Sequence, residues 1–209
     1  MMMRNSICCC VLLASACLLS GNGASAQQNP GPSKPAPIST DLGVTYTVER
    51  GEQAPGNCGC FWLQGVGTDA ALNFWKGFGV AASVNSGNAS NVTPNVGVRK
   101  IQFAAGPRYT FTAWSGHDAA SGRRLQLFGQ GLFGRVHAYE GVFPGPNGAA
   151  TSAGSFALEA GGGLNLLFSK SLGVRLLEAD YVRTALPNNA SNTQNDLRLV
   201  FGITWHIGR

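Results

Sequence analysis

Hydrophobic and polar residues alternate along most of the chain after about residue 41, and the last segment shows the alternation most clearly. Large apolar side chains occupy every second position there, namely Leu197, Leu199, Phe201, Ile203, Trp205 and Ile207. The intervening positions, from Asp196 to His206, are mostly small or polar. A period of two residues places successive side chains on opposite faces of an extended strand. This segment is therefore predicted to be a β-strand with one apolar face.

The same alternation predicts eight strands in all, at about 41–50, 61–74, 78–86, 98–113, 124–138, 155–168, 172–185 and 195–208. Several of these segments contain ten or more residues. A soluble strand usually has about five or six residues, whereas a strand that crosses a bilayer needs about 9–11. In the seventh segment Arg175 is out of phase with Glu178 and Asp180, and a β-bulge near 176–177 is predicted to bring all three to one face.

Short and long connections also alternate along the chain. Residues 75–77 and 169–171 form short turns, whereas 51–60, 87–97, 139–154 and 186–194 are predicted to be long loops at the opposite end; the link 114–123 is longer than this scheme requires. Short turns at one end, long loops at the other and an even number of strands are typical of an outer-membrane barrel. The polar face carries small residues and few charges, which suits a narrow lumen. A soluble lipocalin-like barrel with an apolar interior is the alternative.

Aromatic residues cluster at both ends of the predicted strands. Trp75, Phe78, Trp114, Phe168 and Trp205 fall at the short-turn end, and Phe61, Trp62, Phe156 and Tyr181 fall at the long-loop end. Two aromatic girdles around an aliphatic band are typical of transmembrane barrels. The predicted fold class is therefore all-β, an eight-stranded antiparallel up-and-down transmembrane β-barrel over residues 41–209.

The N-terminus has the organisation of a secretory signal. A basic residue, an apolar stretch from Ile7 to Leu19 and the motif Ala24-Ser25-Ala26 predict a cleaved signal peptide over residues 1–26. An uncleaved membrane anchor, or a lipoprotein site at Cys17, is the alternative. Residues 27–40 are rich in proline and are predicted to be a periplasmic linker. The predicted location is the bacterial outer membrane, reached by secretion across the inner membrane.

Charge and hydropathy exclude some classes of protein. Charged residues make up 12% of the chain and the formal net charge is +5 at pH 7, which falls to +4 when a signal peptide containing Arg4 and no acid is removed. No cluster of lysine or arginine stands out, so a nucleic-acid partner is not expected. After residue 26 no apolar run is long enough for a transmembrane helix.

The C-terminal segment Gly202-Ile203-Thr204-Trp205-His206-Ile207 resembles the Gly-x-x-aromatic-x-hydrophobic signal by which the barrel assembly machinery recognises a last strand, carried here by Gly202, Trp205 and Ile207. With its eight strands, the region 41–209 resembles the OmpA-like group, the "outer membrane protein beta-barrel domain" proteins. The resemblance implies a monomeric barrel among outer-membrane lipids and lipopolysaccharide. Some members continue into a periplasmic peptidoglycan-binding domain, which is not expected here.

Ten ionisable residues are predicted to face the lumen, five acids and five bases: Glu49, Asp69, Lys100, Arg108, Arg124, Glu159, Arg175, Glu178, Asp180 and Arg198. They could form a proton or ion pathway. A paired network is favoured instead, because buried charges need partners and eight strands leave room for little beyond side chains. We predict that Glu159, Arg175, Glu178, Asp180, Arg198, Lys100 and Arg108 close the lumen, with salt bridges from the seventh strand to its two neighbours.

No catalytic, cofactor or metal site is predicted. The three histidines, His117, His137 and His206, form no His-x-Ser dyad, and there is no G-x-S-x-G motif. Cys58 and Cys60 could form a disulfide in the first long loop but offer too few ligands for a metal. The sequence predicts a structural or interaction role, with an unidentified extracellular ligand at the loops. A small channel and, less favoured, a lipid-modifying enzyme are the alternatives.

Overall fold

The chain folds into one closed sheet. A computed structural model describes residues 38–52, 60–93, 96–116, 123–145, 148–188 and 192–208. These residues form eight antiparallel strands: β1 (Ser39–Glu52), β2 (Cys60–Trp75), β3 (Phe78–Thr93), β4 (Val96–Ser115), β5 (Arg124–Gly145), β6 (Gly148–Leu167), β7 (Leu172–Thr184) and β8 (Gln194–Ile207). Each strand pairs with the next, and β8 pairs with β1. The predicted eight-stranded up-and-down barrel is confirmed.

The two faces of the sheet have opposite chemistry. On β1 the inward Thr45, Thr47 and Glu49 are buried, whereas the outward Val44 and Tyr46 are 53% and 46% exposed. The other strands repeat this arrangement, with large apolar side chains outside and mostly polar or small side chains inside, among them a few buried apolar residues such as Phe128 and Leu132. A closed sheet with an apolar exterior is stable in lipid, which cannot hydrogen-bond to free backbone groups. The barrel is therefore a transmembrane barrel, and the lipocalin-like alternative is excluded.

Aromatic side chains ring both ends of this apolar wall. Trp75, Phe78, Trp114, Phe168 and Trp205 are all exposed at the short-turn end. The ring centroid of Phe78 lies 5.8 Å from that of Trp75 and 4.7 Å from that of Tyr109. At the other end Trp62, Phe156 and Tyr181 are exposed on the wall. Phe61 is half-buried and lies on the inward side of β2 with Leu63, so its predicted place in this girdle was wrong. Both predicted girdles are otherwise present.

The predicted bulge in β7 is confirmed. Leu177 pairs with Leu164 on β6 and Arg175 pairs with the next residue, Asn165, so that Leu176 is the extra residue. On the β8 side the register shifts between the same residues, from Arg175 to Glu178. Leu176 and Leu177 are both exposed, whereas Arg175 and Glu178 are both buried and face the lumen.

Two of the predicted loops are strand hairpins instead. β3 continues to Thr93 and β4 begins at Val96, so most of 87–97 is strand; β5 and β6 likewise fill most of 139–154. The sequence prediction was wrong there because strands that have left the bilayer no longer need an apolar face, so the alternation that reveals them disappears. Most of 51–60 and of the link 114–123 lies outside the described residues. Residues 1–37 also lie outside them, so the signal peptide and the linker remain predictions.

The described residues include no helix long and apolar enough to span a membrane.

The fold presents its functional groups in two places. One is the lumen, into which strand alternation directs the buried charged side chains. The other is the long-loop end, where the β3–β4 and β5–β6 hairpins extend the sheet.

Candidate functional site

Arg198 on β8 is the centre of an upper lumen cluster. Its Nε donates to Glu49 Oε2 at 3.0 Å, its NH1 to Glu159 Oε2 at 2.8 Å and its NH2 to Gln102 Oε1 at 2.8 Å. Lys100 completes the cluster through ion pairs with Glu49 and, at 3.4 Å, with Asp196. Arg198 is 1% exposed. One guanidinium thus connects β8 to β1, β4 and β6 across the barrel.

Arg175 on β7 is the centre of a lower lumen cluster. Its NH1 and NH2 contact the two carboxylate oxygens of Asp69 at 2.7 and 2.9 Å, a bidentate pair that spans the lumen to β2. The same NH1 lies 2.6 Å from Glu178 Oε2, and Nε donates to Asn165 at 3.2 Å. Glu178 also accepts a hydrogen bond from Gln130 on β5 at 2.6 Å. Four strands therefore meet at this layer.

An aromatic ring supports the bases of the lower cluster. The guanidinium carbon of Arg108 lies 3.6 Å from the centroid of the Phe128 ring, and that of Arg175 lies 5.1 Å from it. Arg108 NH1 also reaches Asp69 at 3.5 Å. A cation over an aromatic face is attracted electrostatically, and more strongly when it is desolvated. Phe128 thus holds two buried cations close together at the Asp69 carboxylate.

The seven residues predicted to form the lumen network are all buried inside the barrel: Lys100, Arg108, Glu159, Arg175, Glu178, Asp180 and Arg198. Their partners differ from the prediction. The ion pairs of Arg175 go to β2 and to its own strand, and those of Arg198 go to β1 and β6, so no ion pair among the described residues joins β7 to β6 or β8. Asp180 lies directly opposite Arg198 in register. The long arginine side chains reach across the narrow lumen instead.

Sequence reasoning missed three residues of the lumen. His206 Nδ1 lies 2.6 Å from Asp41 Oδ1, which also accepts a hydrogen bond from Asn73 through its other oxygen, and Asp196 belongs to the upper cluster. The alternation on β8 does place Asp196 and His206 on the face of Arg198 and could have identified them. Arg124, in contrast, is half exposed and donates to the Lys170 carbonyl at 3.5 Å.

This changes the charge balance of the lumen. Seven carboxylates line it, namely Asp41, Glu49, Asp69, Glu159, Glu178, Asp180 and Asp196, against four lysine and arginine side chains and His206. The predicted equality of five acids and five bases was wrong. The excess is concentrated at Glu159, Glu178 and Asp180, whose oxygens lie within 4.8 Å of one another. Glu159 and Glu178 have arginine partners, and Asp180 Oδ1 has no hydrogen-bond partner.

We predict that Asp180→Asn leaves the free energy of unfolding unchanged or raises it. The substitution keeps the side-chain shape and removes a charge that has two acidic neighbours and no ion-pair partner. Urea unfolding in detergent micelles measures the effect. Glu159→Gln is the matched comparison, because it removes a charge that Arg198 contacts, and it should be destabilising. Equal destabilisation by both variants would contradict the assignment of Asp180 as the unpaired acid.

The lumen is closed in its upper half. A cavity of about 10 Å³ remains beside Glu49, Lys100 and Arg198, which is enough for about one water molecule. Above it, Val136, Ala138, Phe143, Ala157 and Leu186 form an apolar cluster at the long-loop end. Leu186 follows β7 and is 9% exposed, so its side chain packs inward over the lumen. At the short-turn end the described residues leave a cavity of about 250 Å³, lined by Asn73, Thr110, Thr112 and Gln126 among others.

The remaining predicted sites lie apart from the lumen clusters. Cys60 is exposed at the start of β2 and Cys58 lies outside the described residues, so the disulfide remains a prediction. His137 faces outward with its ring 6.0 Å from that of Tyr139. In the assembly signal, Trp205 and Ile207 are exposed on the outer wall. Gly202 lies against β1, where a Cβ would come within 2.3 Å of the Val44 carbonyl oxygen.

Comparison with known proteins places this geometry among bacterial membrane barrels. Ail, the attachment invasion locus protein of Yersinia pestis, in complex with the heparin analogue sucrose octasulfate, is 16% identical with a TM-score of 0.52, covering 81% of this chain and 99% of that one. Neisserial surface protein A is 12% identical with a TM-score of 0.57, covering 79% and 96%. This chain has the fold of the small OmpA-like outer-membrane barrels. No protein-family model matches the sequence, and no curated protein is significantly similar to it.

Proposed function

We propose that this chain is a non-enzymatic outer-membrane protein that presents its long hairpins to an extracellular partner while its lumen stays closed. The hairpins are the observation that carries the proposal. Arg135 on β5 pairs with Phe156 of the outer girdle, and β5 continues from there to Gly145. Those ten residues span roughly 33 Å at a rise of about 3.3 Å per residue. A rigid barrel that projects paired strands so far is suited to recognition.

The chemistry of the hairpin tips limits the kind of partner. The segments 53–59, 87–97, 141–154 and 184–194 contain no charged residue and are rich in Asn, Ser, Thr, Gly and Pro. Ail is seen with a sulfated heparin analogue, which is a polyanion. The tips of this chain offer no cation to such a ligand, so the proposed partner has an uncharged polar surface and is bound by hydrogen bonds and shape. Such binding depends little on salt.

We expect binding of the extracellular partner to be lost when the tip of the β5–β6 hairpin is shortened. Replacing residues 144–149 by a two-residue turn keeps the pair of Phe143 and Ala150, so the apolar cluster and the ion-pair clusters below it remain intact. Purified protein in nanodiscs can be applied to an array of neutral glycans, sulfated glycans and extracellular-matrix proteins. The expected result is salt-insensitive binding to an uncharged probe that the shortened variant lacks. Binding confined to sulfated glycans, or equal binding by the shortened variant, would contradict the proposal.

A small cation channel is the second candidate, and the cavity that the described residues leave at the short-turn end, together with the excess of lumen acids, favours it. The Arg198 and Arg175 clusters and the apolar cluster above them block a continuous wet path. We therefore predict that planar bilayers containing the purified protein show little or no steady conductance. Large, reproducible single-channel steps would instead establish the channel.

A lipid-modifying enzyme has less support. Such an enzyme needs a nucleophile or base oriented by a second group within hydrogen-bond reach. His137 is the histidine on the outer wall near the long-loop end, and no hydrogen bond in the described part of the chain joins it to a serine or a carboxylate. His206 is buried in the lumen against Asp41, away from lipid. The proposed function therefore includes no catalytic step.

A further inference from the structure

The outer wall of the barrel carries its charges in bands. Between the two aromatic girdles, the outward positions of the described strands contain no charged side chain. At the long-loop girdle four exposed arginines appear together, and we name them the outer arginine belt: Arg50 on β1, Arg99 on β4, Arg135 on β5 and Arg183 on β7. The exposed side chains Lys76 and Lys170 lie at the opposite end of the barrel. Arginine is thus concentrated at one depth of the wall.

The strand register fixes that depth. Arg50 pairs with Trp62, Arg135 pairs with Phe156, and Arg183 lies two residues beyond Tyr181 on the same face. Trp62, Phe156 and Tyr181 are the outer girdle residues. Aromatic girdles mark the level of the lipid headgroups. The belt therefore lies among the headgroups of the outer leaflet, above the acyl chains that cover the apolar wall.

Three members of the belt have no ion-pair partner among the described side chains. Arg99 Nε lies 3.0 Å from Glu140 Oε2, so that charge is already paired. Arg50, Arg135 and Arg183 form no ion pair with any side chain that the structure describes. Among the side chains at this end that the structure does not describe, those of 53–59, 94–95, 146–147 and 189–191 include no acid, and Glu52 on β1 is the one carboxylate. Even with Glu52 and Glu140 both counted, four arginines leave the belt with an excess of positive charge toward the lipid.

Two of these arginines form a defined site across β8. Arg183 pairs with Asn195 and Arg50 pairs with Leu197, and these two β8 residues are adjacent on the outer face. The arginines are thus separated by two strand spacings and by two residues along the strand direction, roughly 12 Å in all. Between them Leu197 and Tyr181 are 51% and 45% exposed, and the Tyr181 hydroxyl lies 2.5 Å from Asn195 Oδ1. The site has two cations above an apolar floor.

We propose that the outer arginine belt binds the phosphate groups of lipid A, the phosphorylated glycolipid of lipopolysaccharide, with Arg50 and Arg183 forming the principal site. The proposal rests on the outer-membrane location in the proposed function. Arginine contacts phosphate bidentately and is weakly hydrated, so it retains its affinity at a lipid interface. The acyl chains of the same lipid cover Leu197 and the wall below. One molecule therefore satisfies both the charge and the apolar surface.

Titration of the purified chain in detergent with fluorescent lipopolysaccharide tests the proposal. We expect the Arg50→Gln, Arg183→Gln variant to bind about tenfold or more weakly, since each charge-assisted hydrogen bond contributes substantially to binding. The Lys76→Gln, Lys170→Gln variant removes the same charge from the other end and should bind like the unaltered chain. The unaltered chain should bind dephosphorylated lipopolysaccharide as weakly as the arginine variant does. A mobility difference between unboiled and boiled samples verifies that each variant is folded.

Several results would overturn this assignment. Equal affinity of the arginine variant and the unaltered chain would show that the belt does not bind the lipid. Equal losses of affinity in the arginine and lysine variants would show that the loss comes from the lower net charge and not from the position of the belt. Equal binding of phosphatidylglycerol micelles would show that the belt binds any anionic headgroup and has no preference for lipid A. A failure of the proposed hairpin binding or of the closed lumen leaves this titration unaffected, because the belt lies on the outer wall.

Discussion

Arg198→Ala should lower the free energy of unfolding by about 3–5 kcal/mol. The substitution leaves two buried carboxylates, Glu49 and Glu159, and the Gln102 amide oxygen without the donor that they share. An uncompensated buried charge costs more than the pair contributed, because water cannot reach it. Urea titration of the refolded protein in detergent, followed by the mobility difference between folded and boiled samples, measures the loss.

The control for this prediction is Arg99→Ala. Arg99 also forms an ion pair, with Glu140, but both side chains are about half exposed, and an exposed pair contributes at most about 1 kcal/mol. Insertion of the Arg198 variant into micelles should still occur, because the apolar outer wall is unaltered. If Arg198→Ala and Arg99→Ala have equal effects, the lumen cluster does not stabilise the barrel.

The parity of residues along the strands explains how much of this site the sequence could predict. Lys100, Arg108, Glu159 and Arg198 face inward by simple alternation, and the bulge at Leu176 brings Arg175 and Glu178 to the same side. Alternation is a local property that one bilayer-facing side imposes on every strand. The barrel, its lumen residues and its girdles were therefore predictable from single segments.

The pairing within the lumen was not predictable in the same way. Asp180 and Arg198 are register neighbours, yet Arg198 contacts Glu49 and Glu159 instead. Which acid an arginine reaches depends on the diameter of the closed barrel and on the length of the side chain. Neither quantity is encoded in the pattern of one strand. The β5–β6 hairpin escaped prediction for a related reason, since beyond the membrane nothing forces its residues to alternate.

Phe201→Arg should be the most damaging change on the outer wall, lowering the free energy of unfolding in a lipid bilayer by about 2–4 kcal/mol. Phe201 is outward and 40% exposed, and it lies four residues from Trp205 in one girdle and four residues from Leu197 at the level of the belt. It therefore lies halfway across the apolar band. A guanidinium there must either lose its hydration or deform the bilayer locally so that water and headgroups reach it. Unfolding in lipid vesicles, compared with the unaltered chain, gives the loss.

Phe111→Arg provides the matched comparison, because it makes the same exchange on the outer wall at a different depth. Phe111 is 46% exposed and its ring lies 6.2 Å from that of Tyr109 in the short-turn girdle. An arginine at the interface can extend into the headgroups, as the arginines of the belt do at the other end, so the cost should be only about 0–1 kcal/mol. The difference between the two variants measures the depth of the hydrocarbon around the barrel. A soluble barrel has no hydrocarbon to impose such a depth dependence, so equal costs for Phe201→Arg and Phe111→Arg would contradict a wall immersed in lipid.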